Sequence, residues 1–169
     1  TLLANPGNFF HTTNNKNYIT GADTALSVTS LGVAVQKMRE QKNSQGQPIA
    51  IQPRYLLVPP ALEVVAESLF KSELIVMSGG TDKATEPNAN VHRGRYEPVV
   101  APHLMDHPKA WYLFADPNLA PAFGIAYLRG VEEPIVEEVT PAPQYVGRCW
   151  RGIIDFGIAA IDPKAAVKA

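Results

Sequence analysis

The chain has 169 residues, of which 46% are hydrophobic and 18% charged, and its formal net charge is −1. These values fit one compact domain, or one domain with a smaller lobe, and exclude a disordered acidic or basic tail. They also give no electrostatic reason to expect nucleic acid binding, which needs concentrated Lys and Arg.

In chain order, residues 1–23 are rich in Asn, Thr and Gly, with apolar punctuation at Leu2-Leu3 and Phe9-Phe10, and read as a loop or arm. Ser27 or Thr29 can cap a helix over Ser30 to Gln41, in which Leu31, Ala34, Val35 and Met38 form an apolar stripe. Asn43 to Pro48 is turn-rich. Tyr55-Leu56-Leu57-Val58 then reads as a buried strand that Pro59-Pro60 stops. A helix opens at once, with Leu62, Val65, Ala66 and Leu69 on one face and Pro60 at its first position, where a missing N–H costs nothing. Glu63 and Lys71 suit the two ends of its macrodipole.

A short apolar piece, Leu74 to Met77, leads into a segment dominated by Pro, Gly, Asn, Thr and Asp, from Ser78 to Asn90, which reads as a mobile loop. Beyond it Tyr96–Val100, Trp111–Ala115, Phe123–Leu128 and Ile135–Val139 are short strand-like runs divided by Pro, Gly or Asn. Asp116-Pro117-Asn118 is turn chemistry, with Asp bonding back to the backbone. Pro141-Ala142-Pro143 reads as a hinge. Cys149 to Ile161 reads as a last strand, irregular at Gly152 and Gly157, with Phe156 pointing inward.

No candidate for chemistry survives its context. Asp155-Phe156-Gly157 is spelled like the kinase magnesium triplet but lacks the rest of the kinase signature. His103 and His107 flank Asp106 at helical zinc-ligand spacing, yet Pro102 and Pro108 oppose a helix there and no third ligand accompanies them. Gly79-Gly80-Thr81 lacks the phosphate-loop pattern, and Lys83 is misplaced for it. There is no Gly-x-Ser-x-Gly elbow. Cys149, the single cysteine, cannot form an intrachain disulfide and is expected to be a half-buried structural thiol. Arg93, Arg95, Arg148 and Arg151 are expected in surface or interface ion pairs rather than on nucleic acid. No apolar stretch is long enough to span a bilayer and no signal peptide is evident, so a cytoplasmic origin is the default expectation.

The order of blocks carries more. The Tyr55-Leu56-Leu57-Val58-Pro59-Pro60-Ala61-Leu62-Glu63 run resembles the core block of the Mu-type major head subunits, the major capsid proteins of many tailed phages and prophages. Asn8-Phe9-Phe10 with Ile19-Thr20-Gly21 precedes Ala25-Leu26-Ser27 upstream of it. Tyr96-Glu97-Pro98-Val99-Val100, Trp111 to Pro117, and Trp150 to Ile161 follow downstream.

The resemblance implies an α+β capsid fold of the tailed-phage and herpesvirus lineage, with a mixed sheet and flanking helices. It implies an arm and peripheral-domain helix over residues 1–47, an axial domain over 48–141 and a returning peripheral strand over 142–169. The arm, hairpin and spine helix of such subunits would lie upstream, so the chain, which begins at Thr1, resembles their C-terminal portion. The implied role is structural rather than enzymatic and involves no cofactor or metal. Copies of the chain would form pentamers and hexamers of a shell assembled in the bacterial cytoplasm. A scaffold or maturation protease would be a further partner, DNA would be packaged indirectly, and no membrane would be involved. Ser78, Gly79, Gly80, Thr81, Asp82 and Lys83, with Arg93 and Arg95, are the expected subunit interface. The rival reading is a metal-dependent hydrolase using His103, Asp106 and His107.

Overall fold

The structure, a computed structural model, describes residues 9–21, 24–76, 87–140 and 146–169. They divide into two compact units, one of residues 1–122 with 162–169 and one of residues 123–161.

The larger unit is built on a four-stranded mixed sheet. Its strands are β1 (Pro53–Val58), β4 (Glu97–Val100), β5 (Tyr112–Ala115) and β10 (Ala166–Lys168), in the order β10-β5-β1-β4. β1 runs parallel to β4 and antiparallel to β5, which pairs antiparallel with β10. The parallel pair needs a crossover. It contains helix α2 (Glu63–Lys71) and the two short strands β2 (Leu74–Val76) and β3 (Pro87–Ala89), which pair antiparallel.

Register explains the core. Leu56 lies opposite Leu113, which lies opposite Val167, so these three and Val58 share one face, and all four are buried. Each such burial contributes roughly 1.5–3 kcal/mol. Helix α1 (Val28–Arg39) and α2 cover that face: Leu31, Ala66 and Leu69 surround Leu56. On the opposite face the Tyr112 ring is buried against Phe10, 5.6 Å between centroids. The Lys168 ammonium lies over the rings of Tyr18 and Tyr112.

The α1 stripe is as its 3.6-residue spacing predicts: Leu31, Ala34, Val35 and Met38 are buried. Ser27 is the cap. Its Oγ accepts the Ser30 N–H at 3.2 Å, and Ser30 Oγ accepts the Ser27 N–H at 2.9 Å. The second helix departs from expectation. Pro60–Leu62 is a 3-10 turn with Pro60 at its start, and the α-helix begins only at Glu63. A three-residue turn shifts the phase of the face relative to 3.6. Ala66 and Leu69 are therefore buried, while Leu62 is half-buried and Val65 exposed. The end of α2 is closed by Asn90, whose Nδ2 donates to the Leu69 and Ser72 carbonyls, and by the Gly94 N–H on the Phe70 carbonyl.

The N-terminal arm is held by hydrogen bonds rather than by regular structure. Asn17 is fully buried. Its Nδ2 donates to the Phe9 and Pro163 carbonyls, its Oδ1 accepts the His11 N–H, and its own carbonyl accepts the Lys168 N–H. The expected turn at Asp116 forms as read: Oδ1 accepts the Asn118 N–H at 3.0 Å, and the side chain pairs with Arg54.

The smaller unit is a two-stranded ribbon. The chain runs out through β6 (Phe123–Tyr127) and β7 (Ile135–Val139) and returns through β8 (Cys149–Ile153) and β9 (Phe156–Ala160). β6 pairs with β9 and β7 with β8, all antiparallel. The ribbon is interrupted where Arg129 and Gly130 take positive φ, opposite Ile154-Asp155, with the Leu128 N–H bonded to the Asp155 carbonyl. The expected single strand over Cys149 to Ile161 is thus two. The break falls at Ile154-Asp155 rather than at Gly152 or Gly157, which both sit within ladders.

Candidate functional site: an exposed ribbon

Alternation along the inner ribbon separates two unlike faces. Phe123, Ile125 and Tyr127 of β6 lie opposite Ala160, Ile158 and Phe156 of β9 and form one face. The other is built from Gly124 and Ala126 opposite Ala159 and Gly157. The first face is apolar and open to water: Ile125 is 58% exposed, Phe156 57% and Ile158 48%. The second carries nothing larger than a methyl except at its end, where Ile161 reaches across Gly124. A Cβ on Gly124 would stand 2.6 Å from Ile161 Cδ1.

The outer ribbon mixes charge with apolar surface. Glu137 lies directly opposite Arg151 and pairs with it at 2.8 Å, and Glu138 pairs with Arg148 at 3.6 Å. Both pairs are solvent-exposed and contribute at most about 1 kcal/mol each. Ile135 faces Ile153, and Trp150, opposite Glu138, is 61% exposed. Among the described residues no strand of the ribbon has a second neighbour in a sheet. Free ladder edges and uncovered apolar faces together are the signature of a surface built to be covered. A two-stranded ribbon alone is marginal in water.

Two expectations fail here for one reason. Phe156 does not point inward, and Cys149 is exposed rather than half-buried. Both presumed that this chain covers its own last strands, whereas every residue of β8 and β9 is exposed.

The loop residues Ser78, Gly79, Gly80, Thr81, Asp82 and Lys83 lie outside the described residues, as does the Pro141-Ala142-Pro143 hinge. Arg93 pairs with Glu73 at 2.7 Å, and Arg95 is exposed beside the buried His92. Arg93, Arg148 and Arg151 are therefore in surface ion pairs. His103, Asp106 and His107 are exposed on a 3-10 turn (Pro102–Leu104) and the bend after it. Asp106 and His107 line a shallow cleft with Tyr18, Thr24 and Lys168, without His103. No group of three or more His, Cys, Asp or Glu able to hold a metal occurs among the described residues. Nor is any helix among them long and apolar enough to cross a membrane.

The uncovered ribbon points to a subunit of an assembly, and comparison with known families agrees. The family model described as phage capsid protein matches residues 1–169. The chain belongs to the phage capsid protein family, and its mixed α/β architecture suits a structural component of the virion capsid. No curated protein matches it.

Proposed function

We propose that this protein is the C-terminal portion of a Mu-type major head subunit and builds an icosahedral shell with copies of itself. The observation that carries the reading is the exposed apolar face of Ile125, Phe156 and Ile158, on a ribbon to which no further strand pairs among the described residues, in a chain of the phage capsid family. Such a face is unfavourable in water and is expected to be covered by a neighbouring subunit.

In this reading the capsid fold is that of the tailed-phage and herpesvirus lineage. The segment Ser78 to Lys83, with Arg93 and Arg95, contacts neighbours near the capsomer axis. Pentamers and hexamers assemble in the bacterial cytoplasm, with a scaffold or maturation protease as further partner and DNA packaged inside. The role is geometric, so no catalytic group is required.

The test is assembly of the full-length protein, followed by sedimentation velocity and electron microscopy. The double variant F156S/I158S should keep the far-UV spectrum of the wild type and fail to form shells or capsomers. Shells formed by that variant as readily as by the wild type would defeat the proposal.

A further inference from the structure

The larger unit contains an open cleft of about 830 Å³ between the arm, the end of α1 and the turn before β10. Lys16, Lys37, Arg39, Lys42 and Lys164 line it, against a single acid, Glu40. That concentration of positive charge is unlike the chain as a whole, whose net charge is −1. None of the five cations has an ion-pair partner among the described residues. The Lys164 ammonium donates to the Lys42 carbonyl at 2.7 Å, which fixes one of them to the cleft wall, and Gln36 occupies the Glu40 carboxylate. Lys37 and Arg39 suit the C-terminal end of the α1 macrodipole, but Lys16, Lys42 and Lys164 come from three other segments. Cations gathered on one cleft give it a positive potential that favours an anionic partner.

The same chain carries the complement. Val131 to Glu138 holds four glutamates in eight residues. Glu137 and Glu138 are occupied by Arg151 and Arg148, whereas Glu132 and Glu133, exposed at the bend between β6 and β7, have no ion-pair partner among the described residues. Exposed apolar side chains flank them at Val131, Ile135 and Val136.

We propose that the acidic bend of one copy, Glu132 and Glu133, docks in the basic cleft of a second copy. The proposal rests on the shell reading above and gives it a register. The two surfaces differ, so the contact is heterologous, head to tail, and closes into a ring when its rotation closes. Charge sets the approach and the register, while the neighbouring apolar residues supply area. A carboxylate pair on a narrow ribbon suits the cleft better than nucleic acid does. Nucleic acid would need more concentrated Lys and Arg than a chain of net charge −1 offers.

Charge exchange tests it in the full-length protein. E132K/E133K and K37E/K42E should each weaken self-association about tenfold or more at low salt, and the four changes together should restore it to near the wild-type level. Wild-type association should weaken as salt rises. Thermal midpoints and far-UV spectra of all variants confirm folding. Shells that form normally with either pair reversed, or a fourfold variant no better than its parents, would overturn this contact while leaving the shell reading intact. So would an effect independent of protein concentration, which would place the bend in its own chain's cleft. Loss of DNA retention by K37E/K42E with self-association unchanged would assign the cleft to nucleic acid instead. A wild type that stays monomeric at every concentration would end both readings.

Discussion

The side-chain amide of Asn17 donates a 2.7 Å hydrogen bond to the carbonyl of Pro163, 146 residues further along the chain. The bond joins the N-terminal arm to the turn that precedes β10. Around it Asn17 satisfies every group it has, with the Phe9 carbonyl, the His11 N–H and carbonyl, and the Lys168 N–H as its other partners. The Ile19 N–H then bonds the Lys168 carbonyl, so the arm runs alongside β10 almost as a further strand. A segment with the composition of a loop is thereby part of the core.

Replacing Asn17 should accordingly be costly. Asn17→Leu leaves the Pro163 carbonyl and the His11 N–H without their partner, while the Phe9 carbonyl keeps Asn15 Nδ2, and should destabilise the protein by about 1–3 kcal/mol. Asn17→Asp should cost a similar amount, because a carboxylate cannot donate to the two carbonyls. Urea midpoints measure both. A loss below about 0.5 kcal/mol for Asn17→Leu would show that the arm does not contribute to stability.

Ser27→Ala removes the acceptor of the Ser30 N–H at the start of α1 and should cost about 1 kcal/mol. Ser27→Asp, which keeps an acceptor at the same place, should recover most of that loss. Chemical denaturation of the three proteins side by side decides it.

His92 makes stability depend on mild acid. The ring is buried against Tyr96, Nε2 meets the Val28 carbonyl at 3.1 Å, and no partner for Nδ1 is present among the described residues. Burial, with nearby Arg95 adding to it, holds the imidazolium pKa below its usual value. The folded state thus binds the proton less readily than the unfolded state. The contribution is complete above the unfolded value of about 6.5 and is lost as pH falls from there through the folded pKa. The thermal midpoint of the wild type should decline over that range, and that of His92→Gln should decline less. Parallel curves for the two would refute the assignment. Asp116 acts in a separate window. The Asn118 N–H, then Arg54, hold its carboxyl below the usual value, so its contribution is lost only in stronger acid.

Leu56 is enclosed by Leu31, Ala66 and Leu69 and lies opposite Leu113. Leu56→Ala should cost about 2–5 kcal/mol, whereas Leu56→Met should stay under about 1.5. Leu119→Ala, at a side chain 79% exposed, is the control and should change little. Equal losses at Leu56 and Leu119 would contradict the helix-on-sheet core.

Cys149 is the only thiol, and it is exposed on the outer ribbon. In the dissociated protein it should react with a maleimide at the rate of a free thiol in solution. Alkylation should slow at least tenfold in assembled shells if the ribbon is covered there. Equal rates in both states would leave the ribbon bare in the shell.

Elements with a strong local period were readable from the chain. The α1 stripe, the Asp116 turn and the β7 limits follow from spacing and turn chemistry alone, and the β1 block needed only an apolar run stopped by two prolines. What was not readable depends on partners far away. The nested pairing of β6 with β9 and of β7 with β8 is set by long-range register, which a run of apolar residues does not encode. The phase of α2 depended on whether Pro60 opened an α or a 3-10 turn. Phe156 and Cys149 are not legible because a strand residue looks the same in the sequence whether or not its own chain covers it. Asn17 gave no local signal, since its partners lie at Phe9, His11, Pro163 and Lys168. The basic cleft was equally hidden, its cations being spread from Lys16 to Lys164.

The smooth side of the inner ribbon has a consequence for how an assembly tolerates distortion. Gly124, Ala126, Gly157 and Ala159 offer neither knob nor hole, and only Ile161 rises above them. A layer resting on such a surface meets nearly the same landscape after a shift of one residue pair, so it can slide without repacking. The opposite face, with Ile125, Phe156 and Ile158, would fix its partner in one position. The two faces of one ribbon would therefore hold a covering layer unequally.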